Sequence, residues 1–223
     1  IKTPNFFNIT IQNGVFYGYI IDVINRASEL VILAVGMTLV VASSGGTDIS
    51  VGAVCALSGA VACFILSGGE VSTSVYHSPY IVAFVSAIIV GLVCGSFNGF
   101  LVAKMNIQPM VATLILFTAG RGMAQLVTNG QITYIRVESF KMLGNSVKGI
   151  PLPTPVFIAI AVVILTFIIL KRTALGLYIE TVGINNKAAK LVGLNPVLIR
   201  FIAYAFCGLL AGLAGMIVSS RVY

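Results

Sequence analysis

The sequence predicts an all-α fold, a polytopic transmembrane helical bundle of about six spans within 223 residues. Hydrophobic residues make up 58% of the chain and charged residues only 9%, whereas a soluble domain carries about a quarter charged residues. Several apolar runs approach the roughly 20 residues that a helix needs to cross a bilayer. Such runs must be helical unless they close a barrel, and the alternation typical of barrel strands is absent.

The polar breaks between the apolar runs define the predicted spans. These are about Tyr19–Val41, Ile49–Leu66, Tyr80–Ala103, Met110–Val127, Pro155–Leu170 and Ile199–Val218. Asp22, Arg26 and Glu29 fall in the opening turns of the first span. We expect these three charges to be interfacial, because charged side chains are costly at the centre of a bilayer.

Basic residues predict the orientation of the bundle. The connection between the last two spans holds five of the 13, opposed only by Glu180: Lys171, Arg172, Lys187, Lys190 and Arg200. Cytoplasmic loops are enriched in Lys and Arg, so we place this connection in the cytoplasm, and Lys104 then falls on the same side. The loops 67–78 and 128–154 fall outside, although the second holds Arg136, Lys141 and Lys148.

Small residues recur at helical spacing in two spans. Gly91, Gly95 and Gly99 do so in the third span, and the last span has a similar seam of Gly208, Ala211, Gly212 and Gly215. Small side chains allow helix backbones to approach closely in lipid. The sequence therefore predicts tight packing of these spans.

Composition also argues against other classes of site. The four cysteines all lie in apolar runs and have neither disulfide nor metal-ligand spacing, so we expect packing roles and no metal site. Membrane topology explains the net charge of +7 better than nucleic-acid binding does. The chain begins at Ile1 and stops at Tyr223 directly after an apolar span, so we expect an internal piece of a larger protein.

One polar break carries a motif. Gly45–Gly52 reads Gly-Gly-Thr-Asp-Ile-Ser-Val-Gly, which resembles the Gly-Gly-Ile-Asp-Leu-Ser-Val-Gly signature of permease subunits in bacterial ABC sugar importers of the ribose and galactose type. Further matches follow in the family's order: Pro4–Phe7, Ala34–Val40, Asn98–Gly99, Ala103–Lys104, Ile107–Leu114, Arg121–Gly122, Thr128–Gly130, Thr173–Gly176, Val182–Asn185, Ala188–Ala189 and Gly193. Ile107–Leu114, Gly120–Gln125 and Lys171–Asn185 are most similar to the galactofuranose importers of that family.

The resemblance implies a multi-pass permease of the bacterial inner membrane that imports a monosaccharide. A periplasmic sugar-binding protein would deliver the sugar, a second permease subunit of the same or a different chain would complete the pathway, and cytoplasmic ATPase subunits would drive it. The chain contains no Gly-x-x-x-x-Gly-Lys-Ser/Thr phosphate loop. ATP and Mg are therefore expected on the partner ATPase, with no cofactor bound by this chain. Residues 1–223 would form one truncated permease domain.

Within that domain, residues 173–198 resemble the segment that couples importer permeases to their ATPase. This segment would place a short helix in a cleft of the ATPase, with Asn185, Ala188, Ala189 and Gly193 as its matching residues. The two alanines would permit close approach, and Gly193 would end the helix as a C-terminal cap.

Candidate residues for the translocation path are Asp48, Ser50, Asn98, Gln108, Thr113 and Arg121. Helix breaks at membrane depth survive where they line a cavity or are buried in protein, so Asp48 and Ser50 are candidates for shaping or gating the path. Asp48 is equally well placed to cap the next helix. The other polar candidates offer hydrogen bonds to sugar hydroxyls, and Arg121 is alternatively a snorkelling residue near the outer surface.

Two rival classes share this composition. An ion-coupled secondary transporter or channel also uses broken helices, but intramembrane carboxylates are scarce here and the coupling-like segment favours the ATP-driven class. An intramembrane serine protease needs a buried Ser and His pair, and the single histidine, His77, lies in a loop expected to be outside.

Overall fold

The computed structural model describes residues 10–12, 15–146 and 150–222. The Pro4–Phe7 match and Lys148 lie outside these residues. The helices within them are α1 (Tyr19–Ser44), α2 (Val51–Ser67), α3 (Tyr80–Gly99), α4 (Pro109–Val127), α5 (Glu138–Gly144), α6 (Thr154–Arg172), α7 (Ala174–Ile184), α8 (Asn186–Leu191) and α9 (Pro196–Val222). The short strands are β1 (Thr10–Gln12), β2 (Val15–Tyr17), β3 (Ser72–Thr73) and β4 (Tyr134–Ile135).

Five of the six predicted membrane spans are confirmed. Among the described residues, five helices are long and apolar enough to cross a bilayer: Tyr19–Ser44, Tyr80–Lys104, Pro109–Val127, Thr154–Arg172 and Pro196–Val222. The remaining predicted span is α2, an apolar helix of 17 residues. Since a helix rises about 1.5 Å per residue, α2 is slightly shorter than the hydrocarbon core. The third span continues past α3 as a π-helical turn, Phe100–Lys104.

The connections gather at two ends of the bundle. At one end, β3 pairs in parallel with β4, which joins the loop after α2 to the loop after α4. The antiparallel β1–β2 hairpin is tied to the segment before α6 by a bond from the Phe16 amide to the Pro151 carbonyl, 3.1 Å. The other end holds the α1–α2 break, α7 and α8. Loops that were predicted to lie on the same side of the membrane therefore lie at the same end of the bundle.

The predicted small-residue seams bring α3 and α9 into backbone contact. A Cβ added at Gly91 would meet the Gly208 carbonyl, and one added at Gly95 would meet the Gly208 backbone. On the neighbouring face of α9, Gly215 lies against α2, where an added Cβ would meet the Cys55 carbonyl. Packing at this distance requires glycine on both sides. The predicted close packing of these spans is thus confirmed.

Helix α9 forms the centre of the bundle. It packs against α1, α2, α3 and α5, and its buried large side chains include Tyr204, Met216 and Ile217. By contrast, α6 has many large apolar side chains on the surface, including Phe157, Ile160 and Phe167, as expected of a helix that faces lipid. Polar groups buried along α9 therefore lie deep in the protein.

Candidate functional site

The break between α1 and α2 is fixed by two glycines. Gly45 has a φ of 68° and ends α1, with its amide donating to the Val41 carbonyl at 2.9 Å. Glycine is favoured at this left-handed position because it lacks a Cβ. Gly46 lies directly against the Pro109 ring at the start of α4, where a side chain would clash. The chain therefore leaves α1 and crosses to α4 before α2 begins.

Asp48, Ser50, Asn98 and Thr113 meet in this break, and we call them the break cluster. Asp48 is 4% exposed and the other three are fully buried. Oδ1 of Asp48 accepts hydrogen bonds from the Ser50 amide at 2.8 Å and from the Ser50 hydroxyl at 2.6 Å. Nδ2 of Asn98 donates to Ser50 Oγ at 2.8 Å and to Asp48 Oδ2 at 3.5 Å. The carboxylate is thus held by neutral donors.

Thr113 connects the break to α4. Its hydroxyl accepts from the Ile49 amide at 3.2 Å and donates to the Pro109 carbonyl at 2.9 Å. The break cluster therefore draws on α3, α4 and the segment that begins α2. Because buried backbone groups need partners, these bonds allow irregular backbone to exist between two apolar helices.

The geometry gives Asp48 a structural role and leaves one polar atom unused. Its bond to the amide two residues ahead forms a turn just before α2. Because Ser50 is the N-cap of α2 and no side chain caps this helix end, the capping role of Asp48 stays a prediction. Among the described residues, Asn98 Oδ1 is buried and has no hydrogen-bond partner. A buried carbonyl oxygen of this kind can accept a bond from water or from a hydroxyl. The break cluster can therefore accept one more hydrogen bond, at Asn98 Oδ1.

Two predicted path residues lie apart from the cluster. Gln108 is exposed at the start of α4, where its carbonyl accepts from the Ala112 amide at 3.0 Å. Arg121 is also exposed, and its guanidinium lies 4.3 Å from the centre of the Phe117 ring. Thr113 and Arg121 are separated by about 12 Å along α4 at 1.5 Å per residue. The structure thus joins Asn98 and Thr113 to Asp48 but leaves out Gln108 and Arg121.

The segment predicted to couple to an ATPase contains a helix with a defined cap at each end. The Asn185 side chain accepts from the amides of Lys187 and Ala188 at 3.0 and 3.1 Å, which caps the start of α8. Gly193 has a φ of 82°, and its amide donates to the Lys190 carbonyl at 3.1 Å. The prediction that Gly193 ends this helix is confirmed.

The structure separates the two alanines of α8. Ala189 is fully buried in a cluster with Leu39 of α1, Val182 of α7 and Ile199 of α9. Ala188 is exposed. Large apolar side chains near it are also exposed, Leu191 at 89% and Val192 at 72%. We call Ala188, Leu191 and Val192 the α8 face. Ala189 thus holds α8 to the bundle, and Ala188 points away from it.

Sequence reasoning missed an ion pair inside the bundle. Glu29 of α1 is 7% exposed and forms a salt bridge with Arg221 of α9, in which Nη2 also donates to Oε2 at 3.1 Å. Glu29 is therefore buried within the protein, whereas Asp22 and Arg26 are exposed. The interfacial position of these charges stays a prediction. The available signal was that charged side chains of opposite sign occur in the first and the last of these apolar helices, because buried charges are normally paired.

A cavity of about 420 Å³ lies between α2, α9 and the loop after α4. Small residues of α2 form one wall, including Gly52, Ala56 and Gly59, and Gln131 and Ser219 add polar groups. The lining is otherwise mostly apolar. No group of three or more His, Cys, Asp or Glu side chains that could hold a metal ion occurs within residues 10–12, 15–146 and 150–222.

Comparisons with curated proteins identify relatives over the whole chain. The chain is 43% identical over 222 residues to the galactofuranose transporter permease protein YtfT of Escherichia coli K12, covering 100% of this chain and 62% of the relative. It is 39% identical to the ribose import permease protein RbsC of the same strain, over 99% of this chain and 64% of the relative. The fructose import permease protein FruF of Bifidobacterium longum is 38% identical, over 95% and 58%.

The chain therefore spans about three fifths of the length of these relatives. No solved structure matches it. A family model described as "branched-chain amino acid transport system / permease component" matches residues 19–222. This match includes the spans, the break cluster and residues 173–198, the segment predicted to couple to an ATPase. The chain belongs to this family of transport-system permease components.

Proposed function

We propose that the full-length protein is a permease subunit of an ATP-driven ABC importer that moves a monosaccharide, with galactofuranose as the first candidate. The observation that carries this proposal is the similarity to sugar import permeases over nearly the whole chain. The protein would lie in the bacterial inner membrane and act with a second permease subunit. ATP and Mg would be bound by cytoplasmic ATPase subunits, and a periplasmic protein would bind the sugar.

Uptake assays test the substrate class. Cells that lack the endogenous transporter would express the full-length protein with its ATPase and binding protein, and would receive labelled galactose, ribose, fructose or leucine. We expect uptake of one of the sugars, dependent on ATP and insensitive to a protonophore. Uptake of leucine alone would contradict the sugar assignment. Uptake that follows the proton gradient would favour the ion-coupled alternative.

The α8 face is the proposed contact with the ATPase. It presents exposed apolar side chains on a helix that is capped at both ends and anchored through Ala189. Exposed apolar side chains of this kind are favourable in a protein interface. The caps fix the helix in one position, so little ordering is needed when a partner binds.

Ala188→Arg tests this contact. The added charge would stand on the α8 face without entering the Ala189 cluster, so we expect normal insertion with loss of ATPase capture and of sugar uptake. The matched control is Thr181→Arg, on the preceding helix. Co-purification of the ATPase with the permease is the measurement. Undiminished capture by Ala188→Arg would contradict the proposed contact.

The break cluster is the proposed polar site that the solute contacts on the translocation path. It combines a carboxylate, two hydroxyls and an amide with one unused acceptor, which suits transient contact with a hydroxylated solute. An importer that receives its sugar from a binding protein needs little affinity here. The capping role of Asp48 and the path role are compatible, because the bond to Ser50 uses only one carboxylate oxygen.

Asp48→Asn separates the two roles of Asp48. The amide oxygen can still accept from the Ser50 amide, so we expect α2 and the assembled complex to be preserved. The charge and the acceptor pattern of Oδ2 are lost, so uptake should fall by an order of magnitude or more. The two measurements are the amount of assembled complex and the initial rate of uptake. Unchanged uptake would leave Asp48 with the capping role alone.

A further inference from the structure

We propose that Gly183 of the coupling segment, residues 173–198, and Arg200 in the first turns of α9 together hold the C-terminal turn of α1, so that movement of that segment is transmitted to the break cluster. The inference rests on the proposed transport function. It assigns Arg200 as a positioning residue, since its side chain contacts the end of α1 and not the break cluster itself. It also assigns Gly183 as a point of direct backbone contact between the coupling segment and α1.

Arg200 of α9 contacts the last turn of α1. Its Nε donates to the Ser43 carbonyl at 3.2 Å. Ser43 is the residue before the end of α1, where carbonyl groups have no partner within the helix. A cation at this position is also favoured by the helix dipole. The bond therefore fixes the end of α1 relative to the first turns of α9.

Gly183 makes the neighbouring contact from α7. A Cβ at this position would overlap the Ala42 carbonyl oxygen, so the backbones of α7 and α1 touch here. Ala42 and Ser43 are consecutive residues, so α7 and the first turns of α9 contact the same turn of α1. Ala189 of α8 packs into the cluster that includes Leu39 of α1. Displacement of α8 would therefore push or pull on this turn.

The same end of α1 holds the break cluster in place. Ser44 Oγ lies 3.3 Å from the Tyr204 hydroxyl and accepts from the Gly46 amide at 3.3 Å. The Asp48 amide donates to the Met37 sulfur at 3.3 Å. A shift of the C-terminal end of α1 would thus change the hydrogen bonds that hold the Gly46 and Asp48 amides. A continuous set of packed and hydrogen-bonded contacts of this kind is the physical route by which coupling can travel.

A cysteine reporter in the break tests the link without requiring the sugar to be known. Thr47 is exposed, and Thr47→Cys would be introduced into the full-length protein after its native cysteines are replaced by alanine. The complete transporter would be reconstituted with its ATPase and binding protein. The measurement is the rate of reaction with a membrane-permeant maleimide, with and without ATP plus orthovanadate. We expect ATP with vanadate to change this rate several-fold in the parent.

Arg200→Met and Gly183→Ala should abolish that change while ATP hydrolysis continues. Arg200→Lys should restore part of it, because a lysine ammonium can still donate to the Ser43 carbonyl. The matched controls are Arg172→Met, which removes an exposed cation from the same connection, and Gly122→Ala, where an added Cβ meets nothing within 4 Å. Both controls should respond as the parent does.

Three outcomes would overturn the link. The first two are a parent whose reporter ignores ATP and a full response in both Arg200→Met and Gly183→Ala. A role of Arg200 in capping alone would lower thermal stability and leave the response intact, which also overturns it. Failure of the sugar assignment gives a different result. In that case the reporter responds to ATP and the link stands, but none of the labelled sugars is taken up.

Discussion

The bundle contains two buried polar centres that are built in opposite ways. Toward the end that carries the β-strands, Glu29 and Arg221 form a salt bridge between α1 and α9. Beyond the other end of α1, the Asp48 carboxylate is held by an amide N–H, a hydroxyl and an asparagine side chain. Glu29 and the end of α1 are separated by about 22 Å at 1.5 Å per residue.

The difference lies in how each charge is compensated. The Glu29–Arg221 pair is neutral as a whole and joins residues 192 positions apart, so neither partner can move without exposing the other to an apolar environment. In the break cluster, the Asp48 carboxylate has no basic side chain as a partner among the described residues. Asn98 Oδ1 accepts no hydrogen bond there. The Glu29–Arg221 pair therefore acts as a fixed clamp between α1 and α9. The break cluster suits a site that changes its hydrogen-bond partners.

Breaking the clamp should have the largest effect on stability. Arg221→Met leaves the Glu29 carboxylate buried without its partner, and loss of one member of a buried ion pair typically costs about 3–5 kcal/mol. Thermal unfolding of the purified full-length protein in detergent micelles measures this loss. The control is the double variant Glu29→Gln with Arg221→Met, which should recover much of it. Equal destabilisation of the single and double variants would show that the charge is not the cause.

Removing the carboxylate of the break cluster should have a smaller effect. Asp48→Ala leaves the Ser50 amide and hydroxyl without an acceptor, and an unsatisfied buried donor costs about 1–3 kcal/mol. The same unfolding measurement applies, with Asp48→Asn as the control that keeps an acceptor in place. A loss as large as that of Arg221→Met would contradict the distinction between the two centres.

Arg121→Met should have the smallest effect. Its guanidinium is exposed and contacts the Phe117 ring, an interaction worth about 0.5 kcal/mol at an exposed site. We therefore expect a shift in the unfolding midpoint close to the error of measurement, and uptake near that of the unmodified protein. A large loss of uptake with normal stability would restore Arg121 as a path residue.

The helical bundle itself was predictable because local composition determines it. Apolar length alone defined the spans, and α1, α4 and α9 extend only a few residues beyond the predicted ends. The seam of Gly91 and Gly95 was visible because helical spacing places small residues on one face. Short elements in the loops were missed, among them α5 and the β3–β4 pair. Their sequences are too short to carry a periodic signal.

The candidate site was predictable only in part. The motif identified Asp48 and Ser50, and Asn98 and Thr113 were named as separate candidates. Which of these polar residues meet depends on how α3 and α4 are rotated. Gln108 and Arg121 lie apart from the break cluster, and their role in the path stays a prediction. Nothing within three or four residues of Ala188 and Ala189 indicates which one faces the bundle. That choice depends on the packing of α8 against α1 and α9.

The sequence by itself determined a multi-pass helical membrane protein with a polar break and a basic connection, since hydropathy, glycine spacing and charge are properties of neighbouring residues. The tertiary structure alone decided that Glu29 pairs with Arg221 and that Arg200 and Gly183 meet the end of α1. These contacts join residues more than a hundred positions apart. Only the mutual rotation and depth of whole helices can bring such groups together.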